Sequence, residues 1–183
     1  MMRSNGTFEM TPLPERYFVD GLKDIYWAEK QLLKVLPRIF KVATIPELKE
    51  TLEEHITQTE DQVRRLELIF EYMGKKVQAT KCFGMEGIIQ EFDFSVDKTE
   101  PGSVTRDAAI TIGLQKVNHY EMAAYGGLIQ IAKGLGRDQI ANLLDLSLDE
   151  EKLTYQTLEG IAEYNINWAA ELEEIYGYID GEE

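Results

Sequence analysis

One glutamate on an otherwise apolar helix seam constrains this chain more than any other feature. Between Arg106 and Lys133 the residues Ile110, Leu114, Val117, Ala124, Leu128 and Ile131 recur in steps of three and four, the stripe that a helix turns toward a bundle core. Glu121 lies on that stripe. A carboxylate among core side chains costs several kcal/mol unless it is paired, protonated or bound to a cation. The fold must therefore bring something to meet it.

Three other segments carry the same pattern. A helix is expected from Glu15 to Phe40, with the seam Phe18, Leu22, Ile25, Glu29, Leu32, Leu36 and Ile39; Pro37 should bend it or end it early. A second runs from Pro46, a favoured first-turn residue, to Met73, where Gly74 stops it. Its seam is Leu48, Leu52, His55, Thr59, Gln62, Leu66, Ile69 and Met73, and Gln58 can reach the same layer. A last helix, Arg137 to Asn165, carries Ile140, Leu144, Ser147, Glu151, Thr154, Leu158 and Ile161, with Glu150 and Tyr155 flanking Glu151. The stretch 75–103 is too long for an ordinary connection, so it is read as a crossover along the bundle, with a short helix from Phe83 to Phe92 and a loop from Asp97 to Ser103. Gly134–Leu135–Gly136 makes a tight turn.

The reading is an all-α four-helix bundle over residues 15–167, preceded by an arm (1–14) and followed by an acidic tail (168–183) able to form a short C-terminal helix. Each long helix spans about 40 Å. Every seam breaks at its midpoint, at Glu29, at His55 to Gln62, at Glu121 and at Glu151. Midpoints meet whichever way each helix points, so these groups share one layer. Three carboxylates there need compensating positive charge. A divalent metal supplies it directly, and oxygen donors beside an imidazole suit Fe or Mn, with Zn next. A metal-free network of Glu29, Glu121 and Glu151 with His55, Gln58, Asn118 and bridging water is the competing reading. His55 is a ligand or the partner that orients one. His119, two residues from Glu121, points to another face and is assigned a supporting or interfacial place. Tyr155 and Gln62 are assigned to hydrogen bonding around the layer.

Composition narrows the partners. A net charge of −14 over 183 residues repels nucleic acid and anionic membrane alike, leaving cations as the natural small partners. No apolar run approaches the roughly 20 residues of a membrane span, and the first residues do not read as a secretory signal. Cys82 is the single cysteine, which fits a cytoplasmic protein and a small half-buried hydrophobe. Gly113, Gly126 and Gly127 inside a helix cost about 1 kcal/mol each, so close approach by another helix or a partner subunit is expected. Tyr17, Phe18, Tyr26, Trp27, Phe40, Phe70 and Tyr72 are expected in the core or at a dimer interface. Nothing resembles a phosphate loop, a zinc ribbon or a Ser/His/Asp nucleophile arrangement.

Several runs together resemble a known family: Asp24 to Gln31 (DIYWAEKQ), the His55/Thr59/Gln62/Arg65 spacing, Lys81 to Gly87 (KCFGMEG), Arg106 to Ala109, His119–Tyr120–Glu121 with Tyr125–Gly126, and Leu148 to Lys152. These are similar to the YciF-like bacterial stress-response proteins of the ferritin-like superfamily. The resemblance spans residues 18–161. It implies a ferritin-like bundle, a homodimer and a dinuclear metal site, with no settled reaction. This chain departs from the pattern where Gln58, Asn118 and Tyr155 replace the expected Glu, Glu and Asp. An amide keeps an oxygen donor but loses the negative charge that holds a hard dication, so the resemblance implies a site that is weakened, mononuclear or lost. The role it implies is oxidative or metal-handling chemistry under stress; the alternative is a metal-free ferritin-like dimer acting as a structural or interaction module.

Overall fold

The computed structural model describes residues 13–163. Its helices are α1 (Leu13–Val42), α2 (Pro46–Tyr72), α3 (Phe83–Asp97), α4 (Val104–Gly134) and α5 (Asp138–Ile161). Local chemistry sets the ends. Pro46 opens the first turn of α2 after an extended Ile45, where its missing N–H leaves nothing unsatisfied. Gly74 follows α2 at φ 61°, and Gly136 turns the chain between α4 and α5 at φ 68°. Ser103 caps α4 by accepting from the Arg106 amide at 3.1 Å. Cys82 caps α3: its buried sulfur accepts from the Met85 amide at 3.4 Å and meets the Tyr120 hydroxyl at 2.7 Å. The expected half-buried thiol is thus a fully enclosed helix cap.

One expectation about the helices is narrowed and another corrected. Of the two effects expected of Pro37, a bend or an early end, the early end does not occur. The helix continues to Val42 because its final turns bury Ile39 and pack Phe40 and Val42 on the core, and the Ala43 amide still bonds to the Ile39 carbonyl at 3.0 Å. The crossover helix is longer than expected, reaching Asp97, because Val96 and Phe92 both bury against the bundle. The expected C-terminal helix and acidic tail, and all but the end of the N-terminal arm, lie outside the described residues.

α1 packs on α2 and α4, and α5 packs on α2 and α4, so α1/α5 and α2/α4 are the diagonals of a square. Polar ties fix the directions. The buried carboxylate of Asp107, at the start of α4, accepts from the backbone amides of Thr44 and Ile45 at 2.9 and 3.0 Å and from the Thr44 hydroxyl. Arg137, after α4, meets Glu15 at the start of α1. Hence α4 starts where α1 ends, and the link from α2 must run the length of the bundle. α3 makes that passage against α4 and the edge of α1, with Arg38 reaching Asp93. This is the ferritin-like bundle with a long crossover between its second and third long helices.

The seams fill the core. Every seam residue of α1 and α5 is buried, as are those of α2 from Leu48 to Ile69. On α4 the stripe shifts at its C-terminal half, where Tyr125 rather than Ala124 takes the interior position after Glu121. Phe18, Tyr26 and Phe70 are core residues, whereas Tyr17 and Tyr72 are exposed. A Cβ on Gly113 would stand 2.2 Å from the Phe92 ring, so this glycine admits α3 against α4. Gly126 and Gly127 meet nothing within 4 Å among the described residues.

Candidate metal centre

The midpoints of the four long helices do coincide. Glu29 from α1, His55, Thr59 and Gln62 from α2, Asn118, Glu121 and Tyr125 from α4, and Glu151 from α5 are all at most 1% exposed. One donor atom each from His55, Glu121 and Glu151 lies within 4.8 Å of the other two. His55 Nε2 stands 3.8 Å from Glu151 Oε2 and 4.0 Å from Glu121 Oε2. These gaps exceed a hydrogen bond. Two donors each about 2.1 Å from one ion can be at most about 4.2 Å apart, and both separations fall inside that limit.

The carboxylates are held from outside the cluster. The Tyr125 hydroxyl donates to Glu29 Oε1 at 2.5 Å. Gln62 Nε2 donates to Glu151 Oε1 at 2.6 Å, and Asn118 Nδ2 donates to Glu151 Oε2. Gln62 also reaches Glu150 Oε2 at 3.2 Å, and Glu150 is gripped by Arg65, which bonds Ser147 Oγ at 2.7 Å as well. Both oxygens of Glu121, Oε2 of Glu29, both nitrogens of His55 and the side-chain carbonyls of Gln62 and Asn118 have no hydrogen-bond partner while the carboxyls are ionised; a proton on Glu121 would bond it to Glu29 and Glu151. Buried polar atoms are ordinarily satisfied. So many orphaned donors and acceptors in one layer is the signature of a site that takes a ligand with positive charge, and the set of carboxylate oxygens, amide oxygens and one imidazole fits a divalent transition metal.

Electrostatics agree. Burial above all, and then the Glu151 carboxylate, push the Glu29 and Glu121 carboxyls well above the usual range; the Tyr125 hydrogen bond and the Arg65 charge partly restrain Glu29. Burial likewise lowers His55, against the pull of Glu151. The imidazole is therefore neutral, the form that ligates metal. Burial and the neighbouring Glu29 carboxylate raise Tyr125, keeping it a hydroxyl donor.

Of the residues expected from the sequence, Glu29, His55, Gln62, Asn118, Glu121 and Glu151 are brought together. Three are not. Gln58 is half-buried and turned to the rim, accepting from Thr154 Oγ1 at 2.9 Å, so Gln62, one turn on, takes the place expected for it. Tyr155 bonds Glu159 near the surface. His119 is exposed, with Nδ1 at 2.9 Å from the Gln115 carbonyl oxygen and its ring edge-on to Tyr155 at 4.5 Å. Tyr125 and Arg65 went unassigned as site residues. Their signals were spacing alone, four residues after Glu121 and three after Gln62, on the same helix faces.

The comparisons agree with this architecture. The family described as a domain of unknown function, DUF892, matches residues 14–171. YciF of Escherichia coli K12 is 37% identical over 158 residues, covering 86% of this chain and 95% of YciF. The crystal structure of the E. coli stress protein YciF superposes with a TM-score of 0.80 at 35% identity, over 86% of this chain and 99% of that one. YcfI from Rhodopseudomonas palustris gives 0.78 at 35% identity, over 84% and 96%. A Xanthomonas campestris protein, 20% identical with a TM-score of 0.67 over 89% of this chain and 99% of its own, shares the fold.

Proposed function

This chain belongs to the DUF892 family, and from that premise we propose that it is a ferritin-like carboxylate protein whose mid-bundle cluster binds divalent metal, Fe or Mn before Zn, in a stress-linked oxidative or metal-handling role. The observation that carries the reading is the convergence of unpartnered buried atoms from Glu29, His55, Glu121 and their neighbours. The stress setting comes from YciF, which is named a stress protein.

His55, Glu121 and Glu151 would hold the ion, with Glu29 beside Glu121. Bound Fe or Mn supplies Lewis-acid and one-electron chemistry toward small oxygen species. The remaining residues prepare the place. Tyr125 fixes Glu29; Gln62 and Asn118 fix Glu151; Arg65 and Glu150 close the side facing solvent. Leu32, Leu52 and Val117, each about one helical turn from a cluster residue, are fully buried.

A homodimer is part of the same proposal, supported by exposed Tyr17, Ile112, Leu146 and Leu153 on the outer faces of the bundle. A metal-free module of the same fold draws support from one arrangement, the two amides that already satisfy Glu151.

Thermal unfolding decides between these readings. Ion at 100 times its Kd stabilises the native state by about 2.7 kcal/mol, or roughly 5–10 °C for a chain of this size. Protein stripped with chelator and refilled with Mn(II) or Fe(II) should show that rise, and Glu121→Gln should lose most of it. No rise with Mn(II), Fe(II) or Zn(II) rejects the metal site.

A further inference from the structure

We propose that the centre is built for a single divalent ion, held by His55, Glu121 and Glu151 with Glu29 beside them, and that the amides of Gln62 and Asn118 bar a second. The inference rests on the metal reading above and specifies how many ions that site takes.

Charge is the first ground. The layer holds three buried carboxylates and one buried imidazole, which ligates metal in its neutral form. One dication leaves a single negative charge on the layer, whose Glu151 is tied through Gln62 to the Arg65–Glu150 ion pair. Two dications would leave a net positive charge in a dry interior, where an uncompensated charge is costly. No further carboxylate is free to help. Glu150, the next acid, is already engaged by Arg65 and Gln62 and lies toward solvent.

Donor identity is the second ground. The chain has two histidines, and His119 is exposed with Nδ1 on a backbone carbonyl, so the layer contains one imidazole. At Glu151, each oxygen already receives an amide N–H, from Gln62 on one and Asn118 on the other. An amide beside a carboxylate must present N–H rather than C=O, since the reverse sets two acceptors face to face. These N–H groups occupy one lone pair on each Glu151 oxygen.

The test is a count of ions. Stripped protein is titrated with Mn(II) in the absence of oxygen, desalted, and its metal measured per chain by elemental analysis, with the Mn(II) electron paramagnetic resonance spectrum recorded on the same sample. Saturation at one ion per chain, with an isolated-ion spectrum free of exchange coupling, is expected. Two ions per chain, or a coupled pair, overturns the single-ion assignment while leaving the metal reading intact; no bound ion overturns both. Asn118→Asp keeps the side-chain shape, removes one N–H and adds a fourth carboxylate. It should raise saturation to two ions per chain, and a count that stays at one shows that the Asn118 amide is not what limits the site.

Discussion

Glu121→Gln in chelated protein tests the electrostatic description most sharply. Without metal, protons are what offset the buried carboxylates, and Glu29 and Glu121 hold theirs well above the ordinary carboxyl range. The direction of the stability change follows. A folded pKa above the unfolded value means that, above about pH 4.5, the unfolded chain sheds a proton that the folded chain retains. The stabilising contribution is complete below that pH and is lost as pH climbs toward the folded pKa, at about 1.4 kcal/mol per pH unit for each such group. The layer carries two such groups in wild type and one in Glu121→Gln, so its share of the fall with pH should be roughly halved. His55 works the other way below about pH 6.5, since its folded pKa is lowered, but it is present in both proteins and cancels in their difference. Urea unfolding followed by far-ultraviolet circular dichroism from pH 5 to pH 8, in chelator, gives both slopes. Glu121→Gln should be the more stable protein at pH 8, with the gap narrowing toward pH 5. A variant less stable than wild type at pH 8, or two parallel pH profiles, would refute the reasoning: Glu121 would then be ionised and favourably paired in the native state.

Asp107→Ala should be costly for a different reason, removing the acceptor for two backbone amides and one hydroxyl at the α1–α2 link; about 3 kcal/mol is expected from loss of charge-assisted bonds, read as a lower urea midpoint. Gly113→Ala should cost about 1–3 kcal/mol, because its Cβ collides with the Phe92 ring. The control, Gly126→Ala, has open space within the chain and should instead gain about 0.5–1 kcal/mol of helix stability. A Gly126→Ala protein that is destabilised, and whose oligomer dissociates on dilution, would place a partner subunit against α4 there.

Much of this architecture was legible because a long bundle repeats one rule many times. Each apolar seam is read from seven or so positions, and one ambiguous residue does not disturb it. The polar layer was legible for the opposite reason: Glu29, Glu121 and Glu151 are conspicuous on such seams. What periodicity could not resolve was any choice between neighbours on one face. Gln58 and Gln62 are one turn apart and chemically identical, and only the position of Glu151 across the bundle selects Gln62. Ala124 and Tyr125 follow Glu121 by three and four residues, and slight rotation of α4 gives the interior place to the larger ring. α3 was underestimated since it buries only Met85, Phe92 and Val96, too sparse a stripe to stand out while Phe83 and Phe94 point to solvent. Asp107 drew no attention because its three partners lie across a link more than 60 residues away in sequence.

The layer also divides in a way that bears on how the molecule assembles. Glu29 and His55 belong to one helical hairpin, α1–α2, and Glu121 and Glu151 to the other, α4–α5. Each hairpin closes through a three-residue link, Ala43 to Ile45 and Leu135 to Arg137, and so relies on contacts that are local in sequence and quick to form. Neither half possesses the centre. It exists only where the two hairpins meet, the crossover running from one end of the bundle to the other between them. A ligand of the layer would touch both hairpins at once and so would act as a clasp on their union, opposing their separation.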